Sequence, residues 1–308
     1  MSENFADRLL AACEQKNSRL VVGLDPSYTQ LPAAIKNHRA FNDETDPQAA
    51  TDAIVEFCTR VLKVVAPLVP AVKINSAFFE QYFWQGVEGF WAVVQEAKAH
   101  GLIVINDAKR ADIGNTSQRY ATGCLAEPGE QLDGFVGPDA LTVNPYMGGD
   151  SLEPFIKTAG AQNKGLFVLV RTSNAGAAAI QDQTLSDGSP LYLHVGKLVE
   201  QWGGGVVGAR GYSSVGAVVG ATNVAQLAAL REALPKTIFL VPGLGAQGGT
   251  ADDVAKAFKA DGTGAIINAS RSIIFAFADK KYEGQSFEAA IEAATRETNQ
   301  QINAALGR

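Results

Sequence analysis

Short apolar runs rich in β-branched residues recur along the chain, separated by longer stretches in which apolar positions return every three or four residues. Runs of that length, bounded by polar or Gly/Pro clusters, read as buried strands, and the longer period reads as helices packed by one face. Strands are expected at residues 19–25, 71–75, 140–146, 165–173, 215–222, 237–245 and 264–270, with one more starting at Leu102 and running into a charged cluster. Helices are expected at 49–65, 76–100, 194–202, 223–234, 251–259 and 286–306, with another near the N-terminus. Such alternation predicts parallel strands joined by right-handed crossovers. Eight units fit an α/β fold, a single-domain (β/α)8 TIM barrel over residues 1–308, with a doubly wound open sheet as the alternative.

The polar exceptions to the pattern are not scattered. Asp25, Lys73, Asp107, Lys109, Asn144, Ser173, Gln247 and Arg271 all fall at or near the C-terminal ends of expected strands, the face where barrel active sites gather. Lys73 lies inside an otherwise apolar strand, which is costly without a partner. Residues 174–190 are small and polar, the composition of a mobile lid over a site.

The densest cluster follows the run Leu102-Ile103-Val104-Ile105. A period of two sets Asp107 and Lys109 on one side and Ala108 on the other, and Asp112 follows where the strand gives way to a loop. Asp-x-Lys-x-x-Asp at a strand mouth is either an ion-pair network or a pre-arranged proton donor. Neighbouring carboxylates favour the ammonium form, and a lysine held charged can supply a proton where carbanion character develops.

Composition narrows the function classes. A hydrophobic content of 46% supports a sizeable core, while a net charge of −6 and scattered basic residues argue against a nucleic-acid partner. No run reaches membrane-spanning length and no signal-type segment opens the chain, so a cytoplasmic protein is expected. Cys13, Cys58 and Cys124 are odd in number and far apart, which indicates neither a disulfide framework nor a zinc site. His38, His100 and His194 lie in a polar loop, at an N-terminal strand edge and in a helix, none beside the C-terminal strand ends, so a His-based triad or His-ligated metal is not expected. Asp25 and Asp107 could hold Mg²⁺, but two lysines at the same face argue against another cation.

Gly243-Leu244-Gly245-Ala246-Gln247-Gly248 formally matches a dinucleotide fingerprint, yet it comes late in the chain and the next strand does not close on an acid. In a barrel the same glycines serve a phosphate through their N–H groups, with Arg271 as a bidentate clamp and the Gln247 amide beside it. Judged alone, Arg271 has a surface ion pair as its lesser alternative.

Asp-Ala-Lys-Arg-Ala-Asp-Ile at 107–113, with Lys73 before it and Pro-Gly-Leu-Gly-Ala-Gln-Gly-Gly at 242–249 after it, resembles the orotidine 5′-phosphate decarboxylase family. The likeness runs from Asp25 to Arg271, and Val143-Asn144-Pro145-Tyr146 looks like the longer bacterial branch. The resemblance implies a cofactor-free barrel that converts orotidine 5′-monophosphate to uridine 5′-monophosphate and CO₂, and a homodimer with shared sites. By motif, Lys109 is the expected proton donor at C6 and Asp107 stands by the departing carboxylate, with Lys73 and Asp25 toward the ribose. Asp112, Ile113 and Thr116 are expected in the neighbouring subunit's site, and Ser173 against the pyrimidine. Gly245, Gln247, Ser270 and Arg271 are expected at the phosphate, Ser270 standing where shorter relatives carry Gly. The rival readings are a metal-dependent phosphosugar aldolase or decarboxylase, in which an acid would replace Lys73, and a nucleotide sensor that lacks part of the charged set.

Overall fold

The computed structural model of the protein describes residues 3–38, 42–125, 135–244 and 249–308. Eight parallel strands close a barrel in chain order: β1 Leu20–Leu24, β2 Ala71–Ile74, β3 Ile103–Arg110, β4 Ala140–Val143, β5 Gly165–Arg171, β6 Ser213–Val219, β7 Thr237–Pro242 and β8 Ala265–Ala269. Closure is made by β8 against β1, with Leu20 opposite Ile267 and Val22 opposite Ala269. The closed ring overturns the open-sheet alternative and places the glycine-rich run after β7, outside any dinucleotide-binding context.

Side chains that alternate along each strand divide into two cores. Leu20, Val22, Val72, Val104, Leu141, Val168 and Ile267 point outward and pack under helices that include Pro47–Val65, Phe83–Ala99 and Phe287–Ala305. Val21, Ala71, Ile103, Ala140, Phe167, Ile238 and Ile266 point inward and fill the lower barrel. The helix Phe5–Gln15 closes that lower end with Phe5, Ala6, Leu9, Leu10 and Cys13, and the Phe5 ring meets Phe167 edge-on at 6.1 Å. Moving up the same inward rows, the apolar residues give way to Lys73, Asp107, Thr142 and Asn268, so one side-chain parity builds both the dry plug and the charged mouth.

The expected helix at 76–100 divides into Ala77–Glu80 and Phe83–Ala99. The break is built around Gly86, where a Cβ would lie 1.8 Å from the Phe79 carbonyl oxygen, and Phe83 takes a left-handed φ of 58°. The aromatic stripe therefore splits: Phe79 and Phe90 are buried, whereas Phe83 and Trp84 are 70% and 68% exposed. Residues 174–190 stand beside the mouth, but as short helical turns at Ala175–Ala177 and Ala178–Gln181 rather than as an open loop. They are fastened by Arg171 to Asp182 at 2.9 Å and by Gln181, whose Oε1 accepts the Thr172 N–H. Among the described residues no helix is long and apolar enough to cross a membrane.

Candidate active site

A cavity of about 500 Å³ opens at the C-terminal ends of the strands. Asp25 follows β1, Lys73 rises from β2, and Asp107 and Lys109 rise from β3 to form a continuous ion chain. Lys73 Nζ lies 3.4 Å from Asp25 Oδ1 and 2.7 Å from Asp107 Oδ2, and Lys109 Nζ lies 2.6 Å from Asp107 Oδ1. Thr142, inward on β4, donates its hydroxyl to Asp107 Oδ1 at 3.0 Å. Both Asp107 oxygens are thus engaged, which is what makes its burial tolerable.

Burial pulls the Lys73 ammonium toward neutrality, but Asp107 and then Asp25 outweigh it and the net shift is upward. For Asp107 burial pushes the carboxyl up, yet Lys73 and Lys109 hold it well below the usual carboxylate range. Lys73 and Asp107 are therefore charged at neutral pH. The Lys73 ammonium occupies the space between Asp25 and Asp107 that a cation would need. Among the described residues no three His, Cys, Asp or Glu side chains converge as a metal set.

The cavity is also lined by Ser173 beyond β5, by Asn268 of β8, and by Ser270 and Arg271 just after it. The Arg271 guanidinium is exposed and no described carboxylate pairs with it, unlike the surface ion-pair alternative. Ser270 takes its place because β1 opposes it with Gly23, where a Cβ would fall 1.8 Å from the Ser270 Oγ. Gly245 and Gln247 lie outside the described residues.

Three expected site residues do not line this cavity. Asp112 turns back to accept its neighbour's N–H, from Ile113, at 2.8 Å, while Ile113 is 59% exposed and Thr116 is exposed on the helix Gly114–Leu125. No residue of that helix lines the cavity. Asn144 accepts the Tyr146 N–H in a turn and is not a lining residue. Conversely, Thr142 and Asn268 were not anticipated, although each breaks an apolar strand on the inward parity, two positions before Asn144 and Ser270 respectively.

A closed (β/α)8 barrel whose strand-end lysines and carboxylates surround a cavity belongs to the class of barrels that carry their chemistry at the C-terminal face. A family model described as Orotidine 5'-phosphate decarboxylase / HUMPS family matches residues 18–287. The chain is 43% identical over 304 residues to an orotidine 5'-phosphate decarboxylase of Rhodopirellula baltica, covering 97% of this chain and 98% of that one. It is 37% identical over 306 residues to that of Caldicellulosiruptor saccharolyticus, covering 98% and 99%. The solved structure of Leishmania donovani OMP decarboxylase superposes with a TM-score of 0.72 at 32% identity, covering 99% of both chains. The chain belongs to the orotidine 5′-phosphate decarboxylase family.

Proposed function

We propose that this enzyme decarboxylates orotidine 5′-monophosphate to uridine 5′-monophosphate in pyrimidine synthesis, with Lys109 delivering the proton to C6. The observation that carries the reading is the unbroken chain Asp25–Lys73–Asp107–Lys109 along a cavity that Arg271, paired by no described carboxylate, also lines. Family membership and the relatives' names support the same substrate.

In this reading the phosphate seats on Arg271 with Gln247, Gly245 and the Ser270 backbone, and the ribose meets Asp25 and Lys73. The ring lies between Ser173 and Lys109 and turns its carboxylate toward Asp107. Two carboxylates roughly 4 Å apart repel by about 4 kcal/mol at an effective dielectric of 20, and loss of CO₂ removes that repulsion. The Lys109 ammonium, 2.6 Å from Asp107, stabilises negative charge growing at C6 and then transfers its proton to that carbon. The carbon–carbon electron pair becomes the new C–H bond, so no external oxidant or cofactor enters.

The site is completed by a second copy of the chain. Asp112, Ile113 and Thr116 lie outside their own cavity, and the segments after β2 and β4, the strands on either side of β3, expose Phe83, Trp84, Tyr146 and Met147, apolar surface that a homodimer would cover. The proposed setting is the cytoplasm, which suits three unpaired cysteines.

The test is loss of ultraviolet absorbance when purified protein meets orotidine 5′-monophosphate, with and without excess EDTA. Turnover that survives EDTA is expected. Turnover only of a sugar phosphate with Mg²⁺ would move the chain to the metal-dependent reading, and uridine 5′-monophosphate binding without turnover would make it a sensor.

A further inference from the structure

Lys109 has a backbone φ of 48°, a left-handed conformation that a lysine adopts only when its surroundings impose it. The cause lies in the pairing of β3 with β4. Asn106 stands opposite Leu141, but the next matched pair is Arg110 with Val143, so β3 spends four residues where β4 spends two. The surplus forms a bulge, and residues within it lose regular ladder partners. The Lys109 N–H finds one in a side chain instead, donating to Thr142 Oγ1 at 2.9 Å. The same hydroxyl donates its hydrogen to Asp107 Oδ1, the oxygen that also receives Lys109 Nζ.

The result is a closed loop of interactions: Lys109 N–H to Thr142 Oγ1, Thr142 O–H to Asp107 Oδ1, and Asp107 Oδ1 back to Lys109 Nζ. Thr142 is 1% exposed, so its hydroxyl has no water to trade these bonds for. Both ends of Lys109 are referenced to one carboxylate, the backbone through Thr142 and the ammonium directly.

We infer that the Thr142 hydroxyl is a positioning group, holding the bulged backbone of Lys109 so that its ammonium stays registered on Asp107. It rests on the assignment of Lys109 as proton donor, but its structural half can be read without substrate. Thr142→Val keeps the shape and removes the hydroxyl, whereas Thr142→Ser keeps the hydroxyl and removes the methyl group.

In Thr142→Val, turnover is expected to fall by about 10²-fold, the scale of a displacement of roughly 1 Å in a reacting group, with uridine 5′-monophosphate affinity changed by less than about threefold. Thr142→Ser is expected within about threefold of the parent in both. Hydrogen exchange resolved to the Lys109 amide, measured without ligand, is expected to quicken by at least about tenfold in Thr142→Val and to stay slow in Thr142→Ser. An unchanged Lys109 amide in Thr142→Val would overturn the inference whatever the enzyme's substrate proves to be. Equal losses of turnover in the two variants, or a parallel loss of nucleotide binding, would overturn it too by showing that packing rather than the hydroxyl matters. A protein that turns over no orotidine 5′-monophosphate yet shows the exchange pattern would retain the clamp and lose the assigned reaction.

Discussion

Two aspartates at opposite ends of the barrel have nearly the same surroundings. Asp107 at the upper end is held by Lys73 and Lys109. Asp139, just before β4 at the lower end, is held by Arg8 at 2.9 Å and Lys98 at 2.6 Å, and both carboxyl groups sit below the usual carboxylate range against the opposing effect of burial. What separates them is where the cations come from and what lies next to them. At Asp139 the cations reach in from two helices, Phe5–Gln15 and Phe83–Ala99, and the Val104 N–H completes the carboxylate at 2.9 Å. The triad ties helices to strands and borders the plug. At Asp107 both lysines stand on strands, and Lys109, with a side chain 47% exposed, faces the cavity. A buried ion triad by itself is therefore no sign of chemistry; an adjacent cavity with one cation left accessible is.

The sharpest way to break this contrast is to remove one lysine from each end. Lys109→Ala is expected to fold, to bind uridine 5′-monophosphate, and to lose turnover by about 10⁴-fold or more, since general acid help and electrostatic stabilisation go together. Lys98→Ala is expected to keep turnover per folded molecule while losing roughly 1–3 kcal/mol of stability in urea unfolding. Activity within tenfold of the parent in Lys109→Ala would erase the distinction between the two ends.

The ends also differ in completeness, because the lower triad closes within one chain and the upper site, in the proposed dimer, does not. Lys109→Ala and Asp112→Ala chains unfolded and refolded together would form hybrids with one doubly defective site and one intact site. With random pairing about a quarter of all sites should be whole, so two inactive parents should yield a mixture with about a quarter of parental activity. No recovery in a mixture shown to contain hybrids would reject the shared site and leave the decarboxylase reading standing.

A smaller effect is expected at the phosphate side. Arg271→Ala should lower kcat/KM on the nucleotide by about 10²-fold, the worth of one or two hydrogen bonds to a charged group, and leave the residual rate on a nucleoside lacking phosphate unchanged. Equal losses on both substrates would remove the clamp from Arg271.

The upper end was legible in the sequence and the lower end was not, for a physical reason. Asp107 and Lys109 are two residues apart on a strand, so a period of two places them together before any fold is known. Asp139 meets Arg8 across 131 positions and Lys98 across 41, and no local period connects them. The eight strands were legible because their apolar runs are short and bounded, and the split of 76–100 was hidden because Gly86 acts through a tertiary contact with Phe79. Thr142 escaped notice because one threonine in a strand is ordinary; only the bulge of β3 opposite it makes the hydroxyl necessary.

The smallest effect concerns acid, and it sharpens the comparison by titrating the structural triad alone. The Asp139 carboxyl is held low in the folded protein, against burial, chiefly by Lys98, with help from the Val104 N–H and Arg8. Unfolding returns it to the ordinary value of about 3.9, so the unfolded chain binds a proton more readily as pH falls. Its stabilising contribution is complete above that value and fades as pH drops toward the depressed folded one. Asp107 shifts the same way, so the fall of total stability in acid cannot distinguish the two ends. The difference between parent and Asp139→Asn can, because Asp107 is common to both and cancels. The gap in urea midpoint between these two proteins should be constant from about pH 5 to 8 and shrink below about pH 4. A gap as large at pH 3 as at pH 7 would mean that Asp139 stabilises the lower end through packing or neutral hydrogen bonds, and that its likeness to Asp107 is one of geometry and not of charge.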